Sequence, residues 1–317
     1  MTTPLALGVH VGQQNATMAE LIALWQRLDG SVDWISVWDH LYEAPPAGGR
    51  TPHFEAIATL GALASVTSQA RLGCLMFCVP YRNPALLAKA CVAIDHISRG
   101  RFEPGFGAGW HAPEFRAHGY DFPDIATRFD MLTEGLEIIS SMLGGTDATT
   151  FTGDHYRTDE VTCVPGPYDG PIPLWTGGNG PTRTPQNAAR FCSGWNVPYV
   201  GPAEFRTLND RIDQACETIG RDPATLERSI NLAFHMGATP AEADAELERI
   251  RTQWGPELTE RLTAGALTGT PDQALDRIAE YRAAGADLVN IALRLPVNTD
   301  ALEAYLTETV PAARAIP

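Results

Sequence analysis

The chain has 317 residues, with 23 basic against 38 acidic side chains and a formal net charge of −15. That balance excludes nucleic-acid backbones and anionic membranes as main partners. Its 44% hydrophobic and 19% charged residues exclude a disordered chain. The length allows two domains or one closed α/β barrel of about 250 residues.

Short apolar runs alternate with amphipathic stretches. Leu5–Val11 reads as a strand, and Thr17–Asp29 as a helix with Leu21, Leu24, Trp25 and Leu28 on one face. Asp33–Trp38 is the second strand, His53–Thr67 a helix, and Arg71–Cys78 the third strand. Asn83-Pro84 caps the next helix, which Gly100 closes. Arg101–Gly107 is the fourth strand, and Pro104 predicts irregular pairing within it. Ala126–Leu143 is helical. Pro171–Trp175, Gly194–Val197 and Arg228–His235 follow as strands, with a helix over Pro202–Gly220. Thr270-Pro-Asp-Gln273 is a capping box that opens the helix Gln273–Ala284. Asp287–Leu293 is the eighth strand, and Thr299–Ala313 the last helix.

Eight apolar strands, each followed by a helix, predict an α/β fold: a (β/α)8 TIM barrel with parallel strands buried on both faces. An open doubly wound sheet shows the same alternation. The count of eight, and a first strand without a nucleotide fingerprint, favour the barrel. Residues 1–317 then form a single domain. Three long segments interrupt the pattern, after strands two, four and seven. They are Leu41–Pro52, Gly144–Gly170 with a hairpin over Phe151–Val164, and Thr239–Gly269 with a helix over Pro240–Gln253.

The six cysteines include no CxxC pair, so neither a zinc nor a redox motif is present. No basic segment followed by an apolar run opens the chain, and no apolar run reaches the roughly 18 residues of a membrane span. A cytoplasmic protein is expected. Lys89 stands as the one lysine against 22 arginines.

Barrel active sites lie at the C-terminal strand ends. There the sequence places His10, Asp39-His40, Cys78, Gly107–Trp110, Trp175–Asn179, Asn196, His235 and Arg294. His40 is the acid/base candidate, because an imidazole exchanges a proton near neutrality. The adjacent Asp39 is expected to orient it. Anchoring of the following loop is the other reading of His40. Gly177-Gly178-Asn179-Gly180 with Arg183 suits an anion, offering backbone N–H groups, a helix N-terminus and a positive charge. A plain β-to-α turn uses glycine as well. Gly105-x-Gly107-x-Gly109 lacks dinucleotide spacing and marks a close approach of a flat ligand or another backbone. His111, Glu114 and His118 share a helical face, but Pro113 and Gly119 interrupt it and argue against a metal site. Cys74 and Cys78 read as packing residues, and Trp38 and Trp110 flank the barrel mouth.

Several of these runs resemble the bacterial luciferase-like flavin-dependent oxidoreductase superfamily. They are Trp38-Asp39-His40, Arg71–Phe102 (RLGCLMFCVPYRNPALLAKACVAIDHISRGRF), Gly105–Pro123 (GFGAGWHAPEFRAHGYDFP), the helix from Arg128 to Ile139, and Pro173–Asn196 (PLWTGGNGPTRTPQNAARFCSGWN). The pattern GAGW…E…A.GY is most similar to the branch that uses the deazaflavin coenzyme F420. The resemblance implies a homodimeric barrel oxidoreductase acting on a small molecule. F420 is the implied cofactor, and an FMN-dependent monooxygenase is the alternative. It further implies a non-prolyl cis peptide at Leu75–Met76 beneath the ring. Cofactor contacts are implied at Asp39, Leu75, Met76, Cys78, Gly107, Trp110, Gly177, Gly178, Asn179 and Arg183, with His40 and Asp39 catalytic. Trp110 stands where the sugar-phosphate dehydrogenase branch has an acid. The lone lysine also departs from that branch.

Overall fold

The computed structural model describes residues 4–43, 49–145 and 148–316. Residues 1–3, part of the stretch in which no leader was expected, lie outside that set, as do 44–48 of the loop Leu41–Pro52. The first four strands are β1 (Ala6–Val11), β2 (Trp34–Val37), β3 (Arg71–Cys78) and β4 (Phe102–Gly107). An antiparallel pair follows, β5 (Thr149–Thr152) and β6 (Arg157–Val161). Then come β7 (Trp175–Gly177), β8 (Gly194–Pro198), β9 (Glu227–Met236), β10 (Ala266–Gly269) and β11 (Leu288–Leu293). Parallel pairing runs β1, β2, β3, β4, β7, β8, β9, β11 and back to β1, so eight strands close a (β/α)8 barrel.

The expected caps form. Asn83 accepts from the N–H groups of Ala85 and Leu86, and Thr270 N–H donates to the side chain of Gln273. The expected hairpin is the pair β5–β6. Two boundaries differ from expectation. The fifth barrel strand starts at Trp175 and not at Pro171, because Pro171 and Pro173 have no N–H for the ladder. The segment Thr239–Gly269 carries, besides its expected helix, a second helix (Pro256–Ala264) and the strand β10, which extends the sheet along Ala233–Met236 of β9. Its periodic stretch is too short to announce either element.

Two layers of side chains fill the structure. Outward-facing residues such as Val9, Ile35, Leu72 and Ile291 pack under the helices. The barrel interior holds Trp34, Leu75, Trp175 and Leu288. Trp34 and Trp175 lie 5.1 Å apart, and their rings occupy space that a Cβ on Gly73 or Gly194 would invade. At the N-terminal end Arg71 closes the barrel. It donates to Glu227 at 2.8 and 2.9 Å, while Glu103 accepts from the Trp175 indole at 2.9 Å.

All six cysteines are free and buried. Lys89 lies on the outer layer and donates to the carbonyl of Val164 at 2.7 Å. Among the described residues, no helix is long and apolar enough to cross a membrane.

Candidate active site

Trp38-Asp39-His40 directly follows strand β2, and the side chains of Asp39 and His40 go to different partners. The expected orientation of His40 by Asp39 is therefore not what forms. His40 Nδ1 lies 2.9 and 3.0 Å from the two carboxylate oxygens of Glu114. Glu114 stands on the short helix Ala112–Ala117, just past the end of β4. It also accepts from the Tyr42 backbone N–H at 3.1 Å and the Tyr81 hydroxyl at 3.0 Å. Burial pushes its carboxyl up, but the bonds from His40, Tyr42 and Tyr81 outweigh burial and hold it below its ordinary value. Glu114 is 1% exposed, so an ionised carboxylate is fixed beneath the imidazole.

Asp39 meets a different partner, Arg82. Arg82 donates to both of its oxygens, at 2.6 and 2.8 Å, and the Cys78 N–H donates at 2.9 Å. Burial pushes the Asp39 carboxyl up while Arg82 pulls it back. Arg82 also reaches Glu55 at 2.7 Å. Asp39 thus ties the end of β2 to the end of β3, and its carboxylate is occupied. Burial raises the Cys78 thiol well above its ordinary value, so it stays a thiol.

The Leu75–Met76 peptide bond is cis, as the resemblance implied. Ladder pairing shifts there: Cys74 opposes Pro104, yet Phe77 opposes Phe106. Two residues of β3 therefore face Gly105 alone, a bulge. The Met76 side chain crosses the barrel interior. A Cβ on Gly105 would meet its sulfur at 2.3 Å, and one on Gly177 would meet its terminal methyl at 2.6 Å. Gly107 also faces Met76, and Gly109 (φ +74°) faces the Cys78 sulfur. The spaced glycines thus accommodate the Met76 and Cys78 side chains and, at Gly105, the close backbone carbonyl of Cys74, the second of the two expected approaches.

At the end of β7 the turn Gly177–Gly180 enters the helix Arg183–Phe191. Gly178 has φ +120°, a value L side chains rarely adopt. Asn179 is exposed. Thr182 makes no side-chain cap, so the first N–H groups of this helix lack that partner. The Thr184 hydroxyl is buried without a hydrogen-bond partner and lies 3.0 Å from where a Cβ on Gly180 would stand. Arg183 departs from expectation. It pairs with Asp130 and donates to the Ala126 carbonyl at 2.9 Å, so its charge faces the helix Ile125–Leu143 and not the glycine turn.

Three other histidines border the mouth. His10 Nδ1 lies 2.8 Å from the Ser36 hydroxyl, and burial pushes its pKa down to about 3. His53 Nε2 accepts from the Trp38 indole at 2.9 Å, and burial lowers it to about 4. Both are neutral. His235, at the end of β9, meets Glu246 of the helix Pro240–Trp254 at 2.9 Å. Trp110 is 62% exposed and stands edge-on to His40 with centroids 5.5 Å apart. Among the described residues no three His, Cys, Asp or Glu side chains come together as metal ligands.

The structure therefore brings His40, Trp110, Met76 and the glycine turn to one end of the barrel. Sequence reasoning did not find the roles of Glu114, Arg82, Tyr81 and Thr184. Glu114 carried a signal, as the glutamate of the GAGW…E motif, but helical spacing assigned it to His111 and His118.

The family model for luciferase-like monooxygenases matches residues 8–288. The F420-dependent glucose-6-phosphate dehydrogenase of Microbacterium testaceum (strain StLB037) is 26% identical over 267 residues, covering 81% of this chain and 74% of that protein. The FMNH(2)-dependent dimethylsulfone monooxygenase of Pseudomonas fluorescens (strain Pf0-1) is 26% identical over 269 residues, covering 74% and 71%. A solved F420-dependent secondary alcohol dehydrogenase, in complex with an F420-acetone adduct, shares the fold with a TM-score of 0.84 at 18% identity, covering 98% and 99%.

Proposed function

The chain belongs to the luciferase-like monooxygenase family, and from that premise we propose an oxidoreductase that transfers a hydride between coenzyme F420 and a small organic substrate. The substrate bond is an activated C=C, C=N or C=O, or an alcohol. The observation that carries this reading is the His40–Glu114 pair, placed beside exposed Trp110 at the barrel mouth. Relatives and a fold neighbour named for F420 support the cofactor.

The chain's own groups fit such a cofactor. The unpartnered Thr184 hydroxyl, 3.7 Å from where a Cβ on Gly178 would stand, and the uncapped helix start suit its phosphate. Leu75, Met76 and Gly107 form the wall against which a flat ring packs. When bound, the deazaflavin supplies or accepts the hydride. His40 handles the proton. Glu114 holds Nδ1, which leaves Nε2 to give or take a proton at the substrate. Trp110 offers an apolar face that excludes water from the reacting atoms.

A sugar phosphate fits less well. Trp110 stands in place of that branch's acid, and Lys89 is engaged on the outer layer with Val164. The same reading carries a single domain and a homodimer in the cytoplasm. The relative named for FMNH(2) favours a second reading, an FMN-dependent monooxygenase. Fluorescence titration with F420 and FMN side by side, followed by turnover under strict anaerobiosis, separates the two. Micromolar F420 binding and oxygen-independent turnover are expected. Failure to bind F420, or an absolute need for oxygen, overturns the first reading.

A further inference from the structure

Another imidazole at the mouth is left unused by the proposed reaction. His235 is the last residue but one of β9. Side chains alternate along a strand. Ile230, Leu232 and Met236 pack outward under the helices. Ser229 and Asn231 face inward, where the amides of Asn196 and Asn290 donate to the Ser229 hydroxyl at 2.9 and 3.0 Å and Asn196 also donates to Asn231 at 3.1 Å. Ala233 and His235 continue that inward row to the C-terminal end of the strand, where barrel sites lie. Ala233 aligns with Ala292 of β11, so two small side chains stand one step below the imidazole.

The extra strand β10 adds a neighbour. Thr268 aligns with His235 in the parallel ladder, and residues in register on adjacent strands point the same way, about 5 Å apart. The Thr268 hydroxyl therefore stands beside the imidazole, and both side chains are half-buried. On its other flank His235 Nδ1 meets Glu246 at 2.9 Å, and Arg249 donates to both Glu246 oxygens at 2.6 and 2.7 Å. Burial raises the Glu246 carboxyl, but bonds from Arg249 and His235 outweigh it and bring its pKa to about 2. An ionised carboxylate only accepts, so Nδ1 carries the hydrogen. In the neutral ring the lone pair then lies on Nε2.

A lone pair beside a hydroxyl matches one kind of group. A substrate O–H donates to Nε2 and accepts from Thr268, whereas a carbonyl oxygen uses Thr268 alone and an alkyl group uses neither. β9 lies three strands round the barrel from β2, so such a group is remote from the bond that His40 serves. We propose that His235 and Thr268 are specificity residues that seat a substrate hydroxyl several bonds from the reacting carbon. This rests on the reading of the mouth as a hydride-transfer site, and it adds the class of substrate.

The test compares the binding of cyclohexanone and 4-hydroxycyclohexanone to the F420-saturated protein. Calorimetry gives the affinities, and long-range 1H–15N spectra of the histidine rings report contact, with His235 assigned by the signal lost in His235→Phe. The wild type is expected to bind the hydroxylated probe roughly tenfold more tightly, with a shift at His235 Nε2 that cyclohexanone does not cause. In His235→Phe/Thr268→Val the ratio falls to about one, while cyclohexanone and F420 bind as before, which also shows that the variant is folded. Equal binding of the two probes by the wild type overturns the proposal, as does binding of neither or a preference that survives the double substitution. A protein that does not bind F420 sinks the deazaflavin reading, and the same titration of the cofactor-free protein then decides the hydroxyl site separately.

Discussion

Glu114 and His40 are 74 residues apart in the chain, yet the carboxylate of one brackets Nδ1 of the other at 2.9 and 3.0 Å. The pair joins the end of β2 to the helix after β4. It fixes which imidazole nitrogen faces the mouth.

Replacing Glu114 with Gln keeps the shape and removes the charge. The rate of proton-coupled turnover is expected to fall on the order of 10–10³-fold, with cofactor affinity unchanged. His40→Ala is expected to lose about 10²–10⁴. The double variant should be little worse than His40→Ala, because the two groups act as a unit. Full activity in Glu114→Gln, measured by stopped-flow reduction or oxidation of the cofactor, defeats the assignment.

Gly105 is a tight point of the barrel where backbone as well as a side chain stands close. A Cβ there would lie 2.3 Å from the Met76 sulfur and 2.7 Å from the Cys74 carbonyl. The thioether can swing away and the backbone cannot. Gly105→Ala is expected to cost about 1–3 kcal/mol in urea denaturation, and to weaken binding of a ring that packs on Met76. Unchanged stability shows that β3 shifts freely there.

Arg82→Met leaves Asp39 buried beside an apolar side chain. The expected loss is about 3–5 kcal/mol, and Asp39→Asn added to it is expected to restore much of that, since an unpaired buried charge is the main cost. A double variant as unstable as the single argues that packing of Arg82, and not its charge, holds the strand ends together.

Acid exposes a different clasp. The pKa of Glu246 is lowered from its ordinary 4.5 to about 2: burial raises it, but bonds from Arg249 and His235 outweigh burial. A carboxyl depressed on folding adds stability that is complete above its unfolded value and is lost as pH falls through the folded one. The advantage of wild type over Glu246→Gln is therefore expected in full above about pH 5 and to shrink between 4.5 and 2. Hydrogen exchange across the helix Pro240–Trp254 measures it. A pH-independent difference rules out titration of Glu246 as the cause.

Much of this architecture is legible in the sequence, for physical reasons that particular residues make plain. Alternating apolar runs and capped helices announce a barrel because each βα unit carries its own period and its own stop, as Asn83 and the Thr270 box illustrate. β10 carries no such signal: four residues bonded along one strand need little hydrophobic pattern. His40 is visible because it ends a strand. Its partner is not, since the direction in which Asp39 and His40 diverge, and the helix that returns Glu114, belong to the tertiary structure. Arg183 misleads for the same reason. A charge beside a glycine turn in the chain need not face that turn in space.

The lone lysine has a practical consequence. Lys89 is tethered to the Val164 carbonyl on the outer layer, away from His40 and the glycine turn. Apart from the chain's α-amino group, it is the one amine available to acylating reagents. With the α-amino group blocked, a dye, biotin or surface coupling directed at amines will therefore attach at one defined position, so immobilised or labelled protein should retain an unobstructed barrel mouth.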